Sequence, residues 1–291
     1  MRRLRIPFFS PIPALFLSVC VHPEPASPYP RAGGFSVRTD SLVVAAVGDI
    51  MAHDSQIAAA WSAKKGGYDF NSVFTYVQDY LSTPDLAIGN FETTLPGEGS
   101  RYTGYPSFGA PDALAEALKN AGFDLLNTAN NHCADRGRRG MVHTLDVLDR
   151  LGILHAGTYR NEAEYERDRV LWIDRNGIRI AVVAYTYGVN GEFPKGCVVS
   201  VADTVRMAAD MRQARSGDPD FIIALMHFGT EYRLEPDASQ IRLVDFLFRE
   251  GADVVLGGHP HVLQKFETRN VTDRFGAARD RLVVYSLGNF L

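Results

Sequence analysis

Cysteine is scarce: the 291 residues hold three, Cys20, Cys133 and Cys197. Spacing that wide excludes a disulfide framework and a zinc site built from cysteine alone. With Cys20 consumed in processing, Cys133 and Cys197 would remain, and nothing in the sequence pairs them. Positive charge is not in excess either. A net charge of -4 and a pI near 6.1 argue against a general nucleic-acid binder, which needs surplus Lys and Arg to neutralise phosphates. Internal repeats and coiled-coil heptads are absent. The first apolar stretch, 6–19, is too short and too proline-broken to span a bilayer comfortably. What is present is an ordinary globular composition, 46% hydrophobic and 22% charged, long enough for one large domain or two small ones.

Residues 1–22 read as a signal peptide, with Arg2, Arg3 and Arg5 as the basic start before the apolar stretch. Leu17-Ser18-Val19-Cys20 resembles a bacterial lipobox, although Val19 is bulkier than the small residue usual before the cysteine. Cys20 either carries a lipid that holds the protein on a membrane or belongs to a plain secretion signal. Residues 23–40, with Pro23, Pro25, Pro28, Pro30, Gly33 and Gly34, predict an extended tether. A single domain, 41–291, is expected to follow.

Along that domain, short apolar runs repeatedly end in polar residues suited to binding metal. The run 42–47 predicts a buried strand closed by Gly48-Asp49. A carboxylate just past a strand's C-terminal end stands where α/β folds place ligand sites; alone, such an Asp is more often a helix N-cap. His53, four residues on, either joins that site or holds substrate. Spacing of Val73, Phe74, Val77 and Leu81 predicts a helix over 71–81, and the strand 85–89 runs into Asn90-Phe91-Glu92. Pro111 opens a helix to Ala121. A strand at 123–127 is followed by Thr128-Ala129-Asn130-Asn131-His132. There an Asn amide oxygen can complete a hard-metal sphere and the adjacent His can protonate a leaving group, or the turn simply tolerates left-handed geometry. Arg136, Arg138 and Arg139 crowd the start of a helix over 137–151, the end whose dipole disfavours cations; they are either solvated or placed to greet an anionic substrate.

Asn176-Gly177 between the runs 170–174 and 178–184 signals a hairpin. Helices are expected over 201–215 and 238–250, and a strand over 221–226 leads to His227-Phe228-Gly229. The run 252–256 ends in Gly257-Gly258-His259-Pro260-His261. Its glycines are expected to turn the backbone sharply, and its two imidazoles to converge on one metal or serve two adjacent ones. A last strand, 281–285, and Ser286-Leu287-Gly288-Asn289-Phe290 precede Leu291, which predicts a natural continuation beyond it. Alternating strand and helix fits a one-domain α/β sandwich. Asp49, Glu92, Asn131, His227, His259 and His261 form an N/O ligand set without sulfur. Such a set suits a pair of Mn, Fe or Zn ions better than a structural zinc, with Glu92 the natural bridge.

Gly48-Asp49, Asn90-Phe91-Glu92, Ala129-Asn130-Asn131-His132 with Asp135 and Gly137, His227-Phe228-Gly229, Gly258-His259-Pro260-His261-Val262-Leu263-Gln264 and Ser286-Leu287-Gly288-Asn289-Phe290 together resemble the CapA family. That is the capsule (poly-γ-glutamate) synthesis domain, which looks like a branch of the calcineurin-like metallophosphoesterases. The resemblance implies a four-layer α-β-β-α sandwich of the metallophosphoesterase type, with a dinuclear centre at the strand ends. It implies that Asp49 and His261 hold one metal, that Asn131, His227 and His259 hold the other, and that Glu92 bridges. His132 would stand where these enzymes keep a general acid or transition-state stabiliser, with Asn90, Asn130 and His53 toward the substrate. Phosphoesterases usually carry Asp-x-His at the first strand and an Asp bridge; here Asp49 has only His53 at i+4, and the bridge is Glu92. The expected function is an envelope-located metal-dependent hydrolase acting on a phosphoester or an anionic polymer such as poly-γ-glutamate. The alternative is a non-catalytic component that binds or exports the polymer through Arg136, Arg138 and Arg139.

Overall fold

The computed structural model describes Arg3–Arg5, Leu15–Cys20 and residues 41–291. The expected tether, 23–40, lies outside the described residues, as does most of the expected leader. The first sheet is formed by β1 (Arg3–Arg5), β2 (Leu15–Cys20), β3 (Ser41–Ile50), β4 (Leu86–Phe91), β5 (Leu125–Asn127) and β6 (Leu154–Ala156), in that spatial order. From β3 to β6 the strands are parallel, and β2 pairs antiparallel with β3. The second sheet comprises β7 (Leu171–Arg175), β8 (Ile178–Thr186), β9 (Phe221–His227), β10 (Val254–Gly258), β11 (Phe266–Thr272) and β12 (Ala278–Val284). Its spatial order is β7-β8-β9-β10-β12-β11, with β8, β9, β10 and β12 parallel and the outermost strands antiparallel.

Alternation along the strands makes the layers. On β3, Leu42, Val44 and Ala46 join a core shared with Ile178, Ile180, Val182 and Ala184 of β8. The intervening Ala45 and Val47 face instead the helices α1 (Ala113–Ala121) and α2 (Gly137–Leu151). Likewise Ala181 and Val183 of β8 face α3 (Thr204–Ser216) and α4 (Ala238–Glu250). Two sheets packed face to face, each backed by helices, give the α-β-β-α order expected. Parallel strands covered on both faces are why these segments read as continuous apolar runs rather than alternating ones. The hairpin is where Asn176-Gly177 predicted it, both residues at positive φ (55° and 75°) between β7 and β8.

The helix expected over 71–81 is not continuous. A 3₁₀ turn at Asn71–Phe74 gives way to a short helix at Gln78–Ser82. The stretch between, Thr75-Tyr76-Val77, is β-branched and aromatic, and such side chains lose rotamer freedom in a helix. Strand β11 carried no signal because it is a charged edge strand, every side chain at least partly exposed.

All the parallel strands run toward one edge of the sandwich, where the two sheets are tied together. Asp49 N–H donates to the Gly288 carbonyl (2.8 Å), and Phe290 N–H donates back to the Asp49 carbonyl (2.8 Å). A side chain on Gly48 would place its Cβ 1.8 Å from the Gly288 carbonyl oxygen, so the closing segment approaches β3 only because that residue is glycine.

Candidate metal centre

At that edge Asp49, Glu92, Asn131, His227 and His259 are buried, and His261 is partly so. Asp49 accepts at Oδ2 from the His259 backbone N–H (3.1 Å), and His261 Nδ1 lies 3.1 Å from the same oxygen. Glu92 Oε1 stands 3.4 Å from His227 Nε2 and 4.0 Å from His261 Nε2. His227 Nε2 is 2.8 Å from Asn131 Oδ1. Ring centroids of His227 and His259 are 4.8 Å apart, and those of His259 and His261 5.9 Å. All six residues therefore meet in one cluster.

The turn that assembles the last two histidines differs from expectation. Gly257 and Gly258 are strand residues of β10; the left-handed backbone belongs to His259 (φ 97°) and His261 (φ 57°). A Cβ on Gly258 would lie 2.5 Å from Asp49 Oδ1, so this glycine provides space for the carboxylate rather than a bend. Positive φ in non-glycine residues costs of order 1–3 kcal/mol each and collects at functional sites.

Two groups of donor atoms lie within 4.8 Å of one another, Asp49–Glu92–His227 and Glu92–His259–His261. Glu92 belongs to both, as a bridging residue must. The resemblance divides the residues otherwise, coupling Asp49 with His261 and His227 with His259. Asp49 touches His261 and His227 neighbours His259, so side-chain proximity alone does not dictate the division.

Electrostatics reinforce the picture. Burial pushes His227 and His259 down to about 3, leaving both imidazoles neutral with a lone pair to offer. Burial and the neighbouring Asp49 charge hold Glu92 well above the usual carboxylate range. Burial alone would raise Asp49 too, but its hydrogen bonds to His261 and Asn90 and the charge on His261 bring it below its ordinary value. Burial works against a charged His261, yet Asp49 and Glu92 lift it to about 9. Glu92 Oε1 and His259 Nδ1 are buried with no hydrogen-bond partner among the described residues. Orphaned donor atoms, neutral imidazoles and crowded carboxylates are what a divalent cation resolves. The residues present fit one.

A profile of the family described as bacterial capsule synthesis protein PGA_cap matches residues 43–291. The chain belongs to that family. Among relatives, the capsule biosynthesis protein CapA of Bacillus anthracis is 28% identical over 264 residues, covering 87% of this chain and 60% of that protein. The PGA biosynthesis protein CapA of Bacillus subtilis (strain 168) is 29% identical over 262 residues, covering 87% and 63%. The chain thus spans about three-fifths of the length of these relatives. Among solved structures, the sulfate thiohydrolase SoxB of Thermus thermophilus aligns with a TM-score of 0.42 at 14% identity, over 77% of this chain and 44% of that one. The 5'-nucleotidase of Candida albicans SC5314 aligns with a TM-score of 0.41 at 15% identity, over 75% and 41%.

Beside the cluster of this PGA_cap chain, His132 is buried, its Nδ1 2.7 Å from Asp135 Oδ2. The same carboxylate oxygen accepts the Phe108 backbone N–H (2.6 Å), and the Phe108 ring stands edge-on to His132 at 4.7 Å. His53 lies outside the cluster. It is exposed at the start of the short helix Asp54–Ala59, its ring 5.1 Å from Phe108. Asn90 and Asn130, expected toward substrate, are committed to the protein instead. Asn90 Nδ2 donates to Asp49 Oδ1 (2.7 Å) and Glu92 Oε2 (3.3 Å) and lies 3.1 Å from His227 Nδ1. Asn130 Nδ2 donates to the Phe91 carbonyl (2.8 Å) while its Oδ1 accepts the His132 N–H (3.2 Å). Both are buried, so unsatisfied amides there would be costly. Arg136 is likewise engaged, its Nη2 bonding the Thr103 hydroxyl and, at 3.0 Å, the Ser107 carbonyl. Arg138 and Arg139 are exposed on α2, outside the ligand cluster.

Three neighbours escaped the sequence reading. Asn289 Oδ1 lies 2.9 Å from His261 Nδ1. Asn127 Nδ2 donates to Asn90 Oδ1 at 3.0 Å. Tyr187, about half exposed, stacks near His227 (6.3 Å) and His259 (4.7 Å). Tyr187 directly follows β8, so the strand-end rule that selected Asp49 applied to it as well.

Proposed function

We propose that the protein is a metal-dependent hydrolase of the bacterial envelope, acting on an anionic capsule polymer or a phosphoester. The observation that carries this reading is the pair of buried donor atoms without a hydrogen-bond partner among the described residues, Glu92 Oε1 and His259 Nδ1, in two ligand groups that share Glu92. Asp49, Glu92, Asn131, His227, His259 and His261 would hold two divalent ions, an N/O set suited to Mn, Fe or Zn. Such ions, when bound, supply Lewis acidity at the scissile group and a nucleophile at neutral pH. The protein's own residues orient and move protons. Asp135 holds His132 through Nδ1, and Nε2, with Asn190 Nδ2 3.4 Å away, is the atom that would deliver a proton to the leaving group. Phe108 covers the ring edge, and Asn90 ties Asp49, Glu92 and His227 to one another. The anionic polymer as substrate is supported by family membership and by relatives described as capsule and PGA biosynthesis proteins.

Elemental analysis of the purified protein tests the reading, followed by a phosphodiester and a γ-linked polyglutamate cleavage assay with added manganese. About two equivalents of divalent metal are expected, as a two-metal site requires, with Glu92→Gln losing most of both metal and turnover. Wild type without metal and without turnover under any ion, or Glu92→Gln indistinguishable from it, overturns the proposal.

The same reading exports the protein through residues 1–22 and attaches it to a membrane by lipid on Cys20, with 23–40 as tether. Among the described residues no helix is long and apolar enough to cross a membrane. Membrane fractionation of Cys20→Ser tests the attachment.

A further inference from the structure

Two cavities on the first sheet's side are not used by the chemistry above. One, of about 550 Å³, lies between Pro96 to Glu98 and the side chains of Arg138, Arg139 and His143 on α2. The other, of about 320 Å³, lies between Pro96, Arg101, Arg136 and Arg139. Pro96 and Arg139 line both, so the two form one trough. Its floor begins four residues after Glu92, and its arginine wall begins four residues after His132. Arg136 on that wall bonds the Ser107 carbonyl at 3.0 Å, and the next residue, Phe108, stands 4.7 Å from the His132 ring, so one end of the trough is joined to the support of His132.

Its charge runs against that of the molecule. The chain carries a net -4, yet four arginines line the trough against only Glu98 and Asp146. Asp146 is already paired with Arg160 Nε at 2.9 Å. His143 is held by Asp112 at 3.0 Å. Arg136 is held through Nη2 by Thr103 and Ser107, its Nε without a hydrogen-bond partner among the described residues, while Arg101, Arg138 and Arg139 are exposed and make no ion pair with another described residue. Guanidinium groups bind carboxylates through two parallel hydrogen bonds, so unengaged arginines spaced along a trough suit a ligand with repeated carboxylates.

We infer that this trough binds an extended polycarboxylate chain, leading it to or from the metal centre. This inference rests on the reading that the centre acts on an anionic polymer. A single carboxylate reaches one cavity; a chain occupies both, and its second contact forms intramolecularly at high effective concentration. Affinity is therefore set by chain length rather than by charge alone.

Anisotropy with a labelled γ-linked oligoglutamate on the as-purified protein provides the test, with free glutamate and inorganic tripolyphosphate as competitors and cleavage followed chromatographically in the same samples. The oligomer is expected to bind, free glutamate to compete poorly, and added salt to weaken binding. Arg138→Glu with Arg139→Glu should weaken it about a hundredfold, about tenfold for each lost charge-assisted contact. Both positions are exposed on a helix, and a thermal melt verifies that the variant folds. The control, Arg212→Glu with Arg242→Glu, makes the same change of net charge on exposed positions of α3 and α4 and should alter binding less than about twofold, as for a screened remote charge. Oligomer binding that is absent, unaffected by the first pair, or weakened equally by the control overturns the trough. Tripolyphosphate displacing the oligomer more effectively than unlabelled oligomer overturns the polycarboxylate assignment. Binding that depends on Arg138 and Arg139 without any cleavage overturns the hydrolase and leaves the trough standing.

Discussion

His132 separates the chemistry from the fold. Its imidazole is held by Asp135 and packed against Phe108, and it is not among the ligand groups gathered around Glu92. In His132→Ala, Asp135 keeps the Phe108 N–H as a partner, so the loop retains one of its two ties. Turnover is expected to fall by about 10²–10⁴-fold, the usual worth of a general acid, with metal content and melting temperature nearly unchanged. Full turnover in this variant would remove His132 from the chemistry; a large loss of melting temperature would make its role structural. The residue types at this site were legible because carboxylates, amides and imidazoles at strand ends are conspicuous. The roles of Asn90 and Asn130 were not. An amide reads the same whether it meets substrate or its own neighbours, and only packing distinguishes the two.

Among the elements, the junction between β3 and the closing segment carries the most constraint. Gly48→Ala would drive a Cβ into the Gly288 carbonyl, a backbone atom next to Asn289, which contacts His261. Overpacking of this kind typically costs about 1–3 kcal/mol, and here it would displace Asp49 as well. A lowered melting temperature together with reduced metal content is the expected outcome. Gly67→Ala, where nothing lies within 4 Å, is the control and should change neither. If Gly48→Ala melts like wild type, the close approach is not a constraint. Element types followed from sequence wherever period and punctuation agreed, as at the Asn176-Gly177 hairpin. They did not where spacing and propensity conflicted, as over 71–81, where correctly spaced apolar residues sit in a β-branched and aromatic stretch.

For the whole molecule, the proposal that remains is where it resides. If Cys20 carries lipid, Cys20→Ser should move the protein from the membrane fraction to the soluble one, since the apolar stretch before it would be removed with the leader. Unchanged membrane retention after leader removal would end the lipid anchor. Strand β2 bears on the same question. Leu15–Cys20 pairs along Ser41–Ala46, so a chain cleaved before Cys20 would present β3 as an edge strand with unpaired backbone groups.

The sequence by itself determined the alternation of strands and helices and the stock of candidate ligand atoms at the strand ends, because these follow from local signals: apolar runs, turn residues and helix periodicity. The α-β-β-α layer order was implied by the family resemblance. Tertiary structure decided how those atoms meet. Asp49 and His261 are separated by 212 positions, and Asn90 and His227 by 137. No local preference reaches that far. Their meeting depends on two sheets packing with their strand ends at one edge. The same packing decided what Gly258 is for: β10 needs it empty of a side chain to pass Asp49, and the left-handed backbone falls on His259 and His261 instead.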